Sequence, residues 1–356
     1  MGPSLSPLGR GAFRLLPLPS GERVGVRGLF ALALALLLAT PAVAQDFYRG
    51  KNLDLFIGFG VGGTYDLYAR TLAKSLGRHI PGEPTVVPRN MPGAGGLTAA
   101  NYMAKVAAHD GTALAVTSQT IAIDQLFHVS GVNYETRDFL WVGRITSAPT
   151  VFFTWHTSAT KTLADARTRE TTLGSSGSGD TTDTPRTLNT LAGTKFKLVT
   201  GFRGSNDVWL AVERGEVEGG YALFGDLKFR KADWLRDKLV NLLFTVADRR
   251  DPDYPDLPMS TEFAATEEGK RILALFAAPG GVGRSVFTAP EVPADRLALL
   301  RQAFAETLKD PEFQADAQRI GLELDPMSGE ALQHYVAALM DTPADLIAKA
   351  EAARRP

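Results

Sequence analysis

The chain has 356 residues, of which 44% are hydrophobic and 22% are charged, and its formal net charge is −1. This length and composition allow two globular domains with sizeable cores, and the slightly acidic balance argues against nucleic-acid binding. Because the sequence contains no cysteine, disulfides, thiolate zinc sites and a cysteine nucleophile are excluded.

The start of the chain has the pattern of a signal peptide. Residues 29–40 form an apolar run that follows arginines and is too short to span a bilayer as a stable helix. The small residues at 42–44 predict cleavage after Ala44 and export to the periplasm, with an uncleaved membrane anchor as the alternative. Residues 1–23 are rich in proline and glycine, and we expect translation to start near Val24.

Beyond the leader, short apolar runs alternate with helical patterns. The predicted strands cover residues 53–59, 85–87, 113–117, 141–145, 151–154, 171–173, 197–200 and 285–287. Predicted helices cover residues 65–76, 97–106, 163–169, 206–214, 295–308 and 329–340. Pro185 is expected in the first turn of a further helix that ends at Gly193. This alternation predicts an α/β fold with parallel sheets covered by helices.

The same strand, turn and helix unit is used in two regions of the chain. We therefore predict one domain from residues 45–147 and 280–356 and a second from residues 148–279. The chain is expected to cross between them near residues 147–149 and 277–281.

Four glycine-rich turns, each between a predicted strand and a predicted helix, are the main functional signal. They lie at residues 60–63, 93–96, 174–179 and 201–204. A helix N-terminus carries unpaired N–H groups and a partial positive charge, and glycine lets a ligand oxygen approach them closely. In parallel sheets such turns gather at the carboxyl ends of the strands. Two turns from each domain predict a cleft that traps a carboxylate or a phosphate.

The first turn also matches the dinucleotide fingerprint G-x-G-x-x-G, as Gly58, Gly60 and Gly63. The acidic residue expected about 20 positions later would be Glu83, which lies between Gly82 and Pro84 in a predicted loop. An exported protein also has little access to free dinucleotide. The fingerprint is therefore weak evidence for a dinucleotide cofactor, and we predict that the protein binds none.

The motifs together resemble the Bug-type extracytoplasmic receptors of tripartite tricarboxylate transporters. Those that carry the resemblance are Gly60-Val61-Gly62-Gly63-Thr64-Tyr65-Asp66, the Asn90 to Gly96 run, Asp110-Gly111, the 175–179 run, Phe202-Arg203-Gly204, the 215–218 run, Arg249 with Pro255 and Pro258, and Pro290 with the 292–294 run. They are spread over essentially all of the chain after the leader.

The resemblance implies a two-domain periplasmic-binding-protein fold of the Venus-flytrap type II class, with a two-stranded hinge. It implies a monomer without cofactor or metal that binds an organic acid and delivers it to a two-subunit membrane permease. Ligand contacts carried over from the family are Gly62, Gly63, Thr64, Asp66 and Ser118 in the first domain, and Ser176, Gly177, Ser178, Phe202, Arg203 and Gly204 in the second.

Three departures from the family pattern bear on the ligand. Val61 replaces a usual proline, Phe202-Arg203 replaces a usual tyrosine-lysine, and the segment 180–183 contains two aspartates. The added negative charge would disfavour a highly charged acid. Asp66 either contacts the ligand or a bridging water, or is an acid favoured by the helix dipole. Arg203 is either a carboxylate partner or a solvated loop residue.

An enzyme would need a base, a nucleophile or a metal, and the sequence offers little of each. The five histidines show no metal-type spacing: they are His79, His109, His128, His156 and His334. The 174–179 run does not fit the G-x-S-x-G nucleophile motif. A receptor is therefore favoured over a hydrolase, and a co-receptor for a membrane signalling protein is an alternative to a transport role.

Overall fold

The computed structural model describes residues 47–177, 179–202 and 204–355. The predicted leader and its cleavage site lie outside the described residues, as do Ser178 and Arg203. Within the described part, no helix combines the length and the apolar character needed to cross a membrane.

The structure contains two β-sheets and thirteen α-helices among the described residues. The strands are β1 (Asn52–Ile57), β2 (Thr85–Asn90), β3 (Ala113–Val116), β4 (Leu140–Thr146), β5 (Thr150–Trp155), β6 (Thr171–Gly174), β7 (Phe196–Val199), β8 (Gly219–Leu223), β9 (Val240–Val246), β10 (Arg284–Thr288) and β11 (Met327–Ser328). The helices are α1 (Thr64–Leu76), α2 (Leu97–Lys105), α3 (Ile121–Leu126), α4 (Leu163–Thr168), α5 (Asp180–Ala192), α6 (Ser205–Glu213), α7 (Phe224–Arg230), α8 (Ala232–Arg236), α9 (Glu267–Val282), α10 (Ala294–Lys309), α11 (Pro311–Arg319), α12 (Gly329–Met340) and α13 (Ala344–Ala353).

The six-stranded sheet, which defines domain 1, has the strand order β11-β4-β10-β3-β1-β2. β1 is parallel to β2 and β3, whereas β10 is antiparallel to both β3 and β4. Alternate residues of β3 enter two core clusters, Ala113 and Ala115 in one and Leu114 and Val116 in the other. The sheet is therefore buried on both faces, which explains why its central strand is a continuous apolar run.

The five-stranded sheet, which defines domain 2, has the order β7-β6-β8-β5-β9. β6 is parallel to β7 and β8, and β5 is antiparallel to β8 and β9. In both sheets the parallel strands end at one edge, where the glycine-rich turns begin. The antiparallel strands β10 and β5 start at that same edge. Their first residues, Arg284 and Thr150, therefore lie at the edge where the turns begin.

The chain crosses between the sheets twice. β4 continues into β5 through residues 147–149, and α9 returns the chain into β10. The two crossings touch each other, because the Ala148 N–H donates to the Gly280 carbonyl at 2.9 Å. The predicted second crossing at 277–281 thus lies in the last turns of a helix, and Gly283 with φ 58 ends it.

Helix α9 also belongs to both cores. Ile272, Phe276 and Val282 enter the core of domain 1, whereas Leu273 and Ala277 enter the core of domain 2. The helix is therefore shared between the domains rather than packed on one of them.

Every strand and helix predicted from the sequence is present, with ends within three residues of the prediction except for one helix. The prediction that Pro185 lies in a first turn is wrong, because α5 starts at Asp180. The N–H groups of Thr182 and Asp183 donate to the Gly179 carbonyl at 3.0 and 2.8 Å. The first turn is therefore complete before the proline, which falls in the second turn.

Candidate functional site

The first glycine-rich turn joins β1 to α1 and is held from inside by Asp66. This residue is 1% exposed, and its carboxylate accepts hydrogen bonds from the Gly62 N–H at 2.9 Å, Arg70 Nε at 2.8 Å and Asn90 Nδ2 at 2.8 Å. Burial alone would raise the pKa of this carboxyl, but the three hydrogen bonds outweigh burial and lower its pKa. Asp66 therefore orders the turn.

The start of α1 leaves N–H groups without an acceptor among the described residues. Gly63 is the N-cap residue and supplies no side-chain cap. Asp66 takes the Gly62 N–H, whereas those of Gly63 and Thr64 have no acceptor among the residues that the structure describes. Free N–H groups at a helix N-terminus favour an anion.

The second glycine-rich turn packs against the ends of two strands. A Cβ at Gly58 would lie 3.2 Å from the Gly96 Cα and 3.3 Å from the Thr117 Cα. Gly96 itself has φ +100, and a Cβ there would lie 3.0 Å from the Ser118 nitrogen. Close packing thus explains the glycines at 58 and 96. Ser118 is buried and its hydroxyl pairs with a neighbouring threonine at 2.7 Å.

The third glycine-rich turn is held together by its own hydroxyl groups. The Ser175 hydroxyl pairs with Thr182 Oγ1 at 2.6 Å and accepts the Gly177 N–H at 3.2 Å. The Ser176 hydroxyl pairs with Thr181 Oγ1 at 2.9 Å. The described hydroxyls of this turn are therefore engaged with the first residues of α5.

The two aspartates after the third turn are engaged inside the protein. Asp180 accepts a hydrogen bond from the Thr150 hydroxyl at 2.6 Å, and Asp183 pairs with Arg354 at 2.9 Å. Burial raises the pKa of both carboxyls, and the hydrogen bond from Thr150 and the charge of Arg354 oppose it only in part. Arg354 follows the last helix of the chain, so this pair ties that helix to α5.

The fourth glycine-rich turn leads into α6. Gly204 is the N-cap residue, with no side-chain cap, and a Cβ there would meet nothing within 4 Å. Phe202 packs back on its own domain, because its ring would lie 3.3 Å from a Cβ on Gly174. Gly204 and Phe202 are both half-buried, but only Phe202 packs on a neighbouring strand.

The first and fourth turns open on one cavity of about 940 Å³ between the domains, called here the outer cavity. Domain 1 contributes the start of α1 and the loop before β11, and domain 2 contributes the start of α6 and one side of α7. Its lining comprises Gly62, Gly63, Thr64, Leu67, Gly204, Ser205, Asn206, Asp207, Leu223, Asp226, Phe229, Arg230, Ile320, Gly321 and Leu322.

Four of the predicted ligand contacts, Gly62, Gly63, Thr64 and Gly204, therefore share this cavity. Among the other described ones, Asp66, Ser118, Ser176, Gly177 and Phe202 are absent from its lining.

A smaller space of about 50 Å³, called here the inner recess, adjoins the outer cavity beside the first crossing. The two spaces share Thr64, Leu223, Asp226, Gly321 and Leu322. The rest of the recess lining is Tyr68, Thr146, Ser147, Ala148, Pro149, Phe224, Gly225, Arg284 and Glu323. The recess is large enough for a few water molecules or one charged head group.

Arg284, in the lining of the recess, is a residue that the sequence did not single out. It is 4% exposed, its guanidinium lies 3.9 Å above the Tyr65 ring, and its Nη1 donates to Gln119 Oε1 at 2.5 Å. No carboxylate of the described chain lies within ion-pair distance of it. A charged residue opening the strand Arg284–Thr288, which is buried throughout, is the sequence signal that could have identified it.

Asp226, the second unanticipated residue, contacts the recess from domain 2. Burial raises the pKa of its carboxyl, and the charges of Arg230 and Arg284 oppose this only in part. Within the described residues it has neither a hydrogen-bond donor nor an ion-pair partner. The recess lining therefore includes one held cation, Arg284, and two acids. Glu323 lies 3.6 Å from Lys228, whereas Asp226 has no partner among the described residues.

The histidines of the chain lie away from both spaces. The described residues contain no cluster of three histidine or acidic side chains that could hold a metal ion. Two of the histidines form surface contacts, His79 with Asp310 at 2.8 Å and His109 with Glu291 at 3.6 Å. None of the five lines the outer cavity or the recess.

Comparison with known proteins identifies similar sequences and folds. The family model described as "Tripartite tricarboxylate transporter family receptor" matches residues 68–351. A UPF0065 protein of Agrobacterium vitis, encoded in the TAR-I ttuE-ttuC' intergenic region, is 26% identical over 297 residues, which cover 82% of this chain and 81% of that protein.

Solved structures of low sequence identity share the fold. A TctC solute binding protein from Polaromonas superposes with a TM-score of 0.65 at 18% identity, covering 85% of this chain and 99% of that one. R. palustris Rpa4515 with adipate superposes with a TM-score of 0.60 at 23% identity, covering 85% and 98%. Both are mixed α/β matches over nearly the full described length, so the two-domain binding-protein fold predicted from the sequence is confirmed.

Proposed function

Because this chain belongs to the tripartite tricarboxylate transporter receptor family, we propose that it is a periplasmic receptor that binds a small organic carboxylate between its two domains. It would pass this ligand to a two-subunit membrane permease without changing it chemically. The observation that carries the proposal is that helix N-termini from both domains open on the same cavity.

The donors suit a carboxylate. The Gly63 and Thr64 N–H groups have no acceptor among the described residues, and the dipole of the thirteen-residue helix α1 adds partial positive charge. Gly204 brings the start of α6 to the same cavity from domain 2. R. palustris Rpa4515, which shares the fold, has a structure with adipate, a dicarboxylate.

Domain closure would make the binding selective. A ligand stabilises the closed arrangement only through contacts that the open arrangement lacks. A ligand that contacts α1 in domain 1 and α6 in domain 2 meets that condition. It can make both contacts only when the first and fourth turns face each other.

Export follows from the predicted leader. We propose that cleavage after Ala44 releases the mature protein into the periplasm, where the permease would take up its ligand. N-terminal sequencing of the secreted protein tests the site, and a mature chain that starts elsewhere would contradict it.

Thermal shift measurements on the purified mature protein test the carboxylate assignment. Mono-, di- and tricarboxylates, including adipate, are compared with neutral sugars. A ligand at 100 times its Kd stabilises the folded state by about 2.7 kcal/mol, which is a shift of a few degrees for a protein of this size. If sugars shift the transition and no carboxylate does, the proposal is wrong.

Gly63→Val then tests the first turn. Its φ of −77° suits valine, and a Cβ there would meet only the Gly60 carbonyl at 3.7 Å, so the protein should fold. The side chain would occupy the space in front of the N–H groups and weaken binding about 100-fold. Titration calorimetry with the carboxylate found in the thermal screen measures the change.

Gly60→Val is the matched control for this variant. Gly60 is exposed, a Cβ there would meet nothing within 4 Å, and the residue is absent from the cavity lining. We expect its affinity to stay within about threefold of the unmodified protein. Equal weakening by both substitutions would remove the start of α1 from the site.

A further inference from the structure

The inner recess differs in chemistry from the outer cavity. Its lining includes the charged groups Arg284 and Asp226 together with the hydroxyls of Thr64, Tyr68 and Thr146. The outer cavity adds the apolar side chains of Leu67, Phe229, Ile320 and Leu322, beside polar groups that include Arg230 and Asp207. Leu67 and Phe229 are 40% and 59% exposed. A ligand that fits both spaces has a charged head and an apolar body.

The head group must satisfy two opposite charges. Arg284 is held in place by Tyr65 and Gln119 and has no carboxylate partner among the described residues. Asp226 faces the same recess from the other domain, and the described chain gives its carboxylate no donor. Unpaired charges of this kind are costly when water leaves the cleft.

A simple carboxylate would satisfy only one of them. It could bind the guanidinium and the free N–H groups of α1, but it would leave Asp226 unpaired and close to a like charge. A dicarboxylate could reach Arg230 in the outer cavity with its second group, but it would still give Asp226 no donor. A head that contains both a carboxylate and an ammonium pairs with both residues at once.

Resting on the carboxylate receptor proposed above, we infer that the ligand is a zwitterionic α-amino acid with an apolar side chain. Its carboxylate binds Arg284 and the start of α1, its ammonium binds Asp226, and its side chain lies against Leu67 and Phe229. Because Arg284 and Asp226 belong to different domains, both partners engage only in the closed cleft.

Matched pairs of probes test this inference by titration calorimetry on the mature protein. L-leucine is compared with 4-methylpentanoate, and L-phenylalanine with 3-phenylpropanoate, because each pair differs only in the ammonium group. We expect at least one amino acid to bind about 30-fold or more tightly than its partner acid.

Three variants test which residues produce the preference for the amino acid over the simple acid. Asp226→Asn should weaken the amino acid to the level of the simple acid and leave the simple acid unchanged or tighter. Arg284→Gln should weaken both. Asp233→Asn changes an exposed acid on α8 that lines neither space, and both affinities should stay within about twofold.

The outcomes separate this inference from the proposed function. If a simple carboxylate such as 4-methylpentanoate or adipate binds as tightly as every amino acid, or if Asp226→Asn keeps the preference, the zwitterion is overturned and the carboxylate receptor stands. If no probe with a carboxylate binds, the proposed function fails as well. Circular dichroism of each variant checks that it is folded.

Discussion

The glycine-rich turns at 60–63 and 174–179 both follow a strand that ends at a sheet edge, and both lead into a helix of thirteen residues. In the first, a single buried carboxylate, Asp66, anchors the loop and leaves the N–H groups of Gly63 and Thr64 free. In the third, the hydroxyls of Ser175 and Ser176 pair with Thr182 and Thr181 of the following helix. The first turn thus leaves main-chain donors without acceptors, whereas the described hydroxyls of the third are engaged by the helix that follows it.

The two turns also hold their acids in opposite ways. Three donors lower the pKa of Asp66 against the effect of burial, whereas burial raises the pKa of Asp180 despite the hydrogen bond from Thr150. The difference shows that the side chains behind a turn, and not its glycines, decide which groups remain for a ligand.

We expect the largest loss of stability when the residue that anchors the first turn is removed. Asp66→Ala leaves the Gly62 N–H without its acceptor and Arg70 without its ion-pair partner. Arg70 keeps its hydrogen bond to Asn90, and the Asn90 amide keeps the Phe59 carbonyl as an acceptor. We expect the free energy of unfolding to fall by about 2–3 kcal/mol, measured by urea denaturation. Ligand affinity should fall as well, because the turn loses its order. A variant with unchanged stability would show that Asp66 does not anchor the turn.

A smaller effect is expected at the corresponding position of the third turn. Ser175→Ala removes the hydroxyl that joins Thr182 and the Gly177 N–H, and should lower the free energy of unfolding by about 1–2 kcal/mol. Affinity for the ligand found in the thermal screen should change by less than about threefold. If it falls as far as in Gly63→Val, the third turn belongs to the site and the contrast between the turns is lost.

The smallest effect is in the pH dependence of stability. A carboxyl with a lowered pKa contributes stability above its unfolded pKa, near 4, and loses it as the pH falls through its folded pKa. The destabilisation of Asp66→Asn should therefore shrink as the solution is acidified.

Asp180→Asn should show the opposite trend. A raised pKa makes the folded state bind a proton more readily, so its contribution is present at low pH and is lost as the pH rises through the folded pKa. Relative to the unmodified protein, Asp180→Asn should be most stable near neutral pH. Urea denaturation from pH 3 to 7 measures both, and parallel curves for the two variants would contradict the assignment.

Local pattern was sufficient for the elements that bracket the turns. Strands such as β1 and helices such as α1 are bounded by glycines and have clear periodicity, so their positions followed from the sequence. Helix α9 did not, because Pro279, Gly280 and Gly281 resemble a break. Burial of that segment against both domains overrides the local preference, an effect of tertiary packing that no window of sequence contains.

The site was only partly predictable for a similar reason. Glycine turns and the family resemblance identified Gly62, Gly63, Thr64 and Gly204, which meet in the outer cavity. Arg284 and Asp226 belong to no motif and lie far apart in the chain. Their proximity depends on how the two sheets are joined at the crossings, which the sequence alone located only approximately.

The sharing of α9 between the two cores has a thermodynamic consequence. If this helix unfolds, both cores lose side chains. Domain 1 loses Ile272 and Phe276, and domain 2 loses Leu273 and Ala277. Neither half of the molecule can thus melt without stripping apolar surface from the other. We therefore expect the two halves to unfold together in one cooperative transition, and the cleft to open with this helix intact.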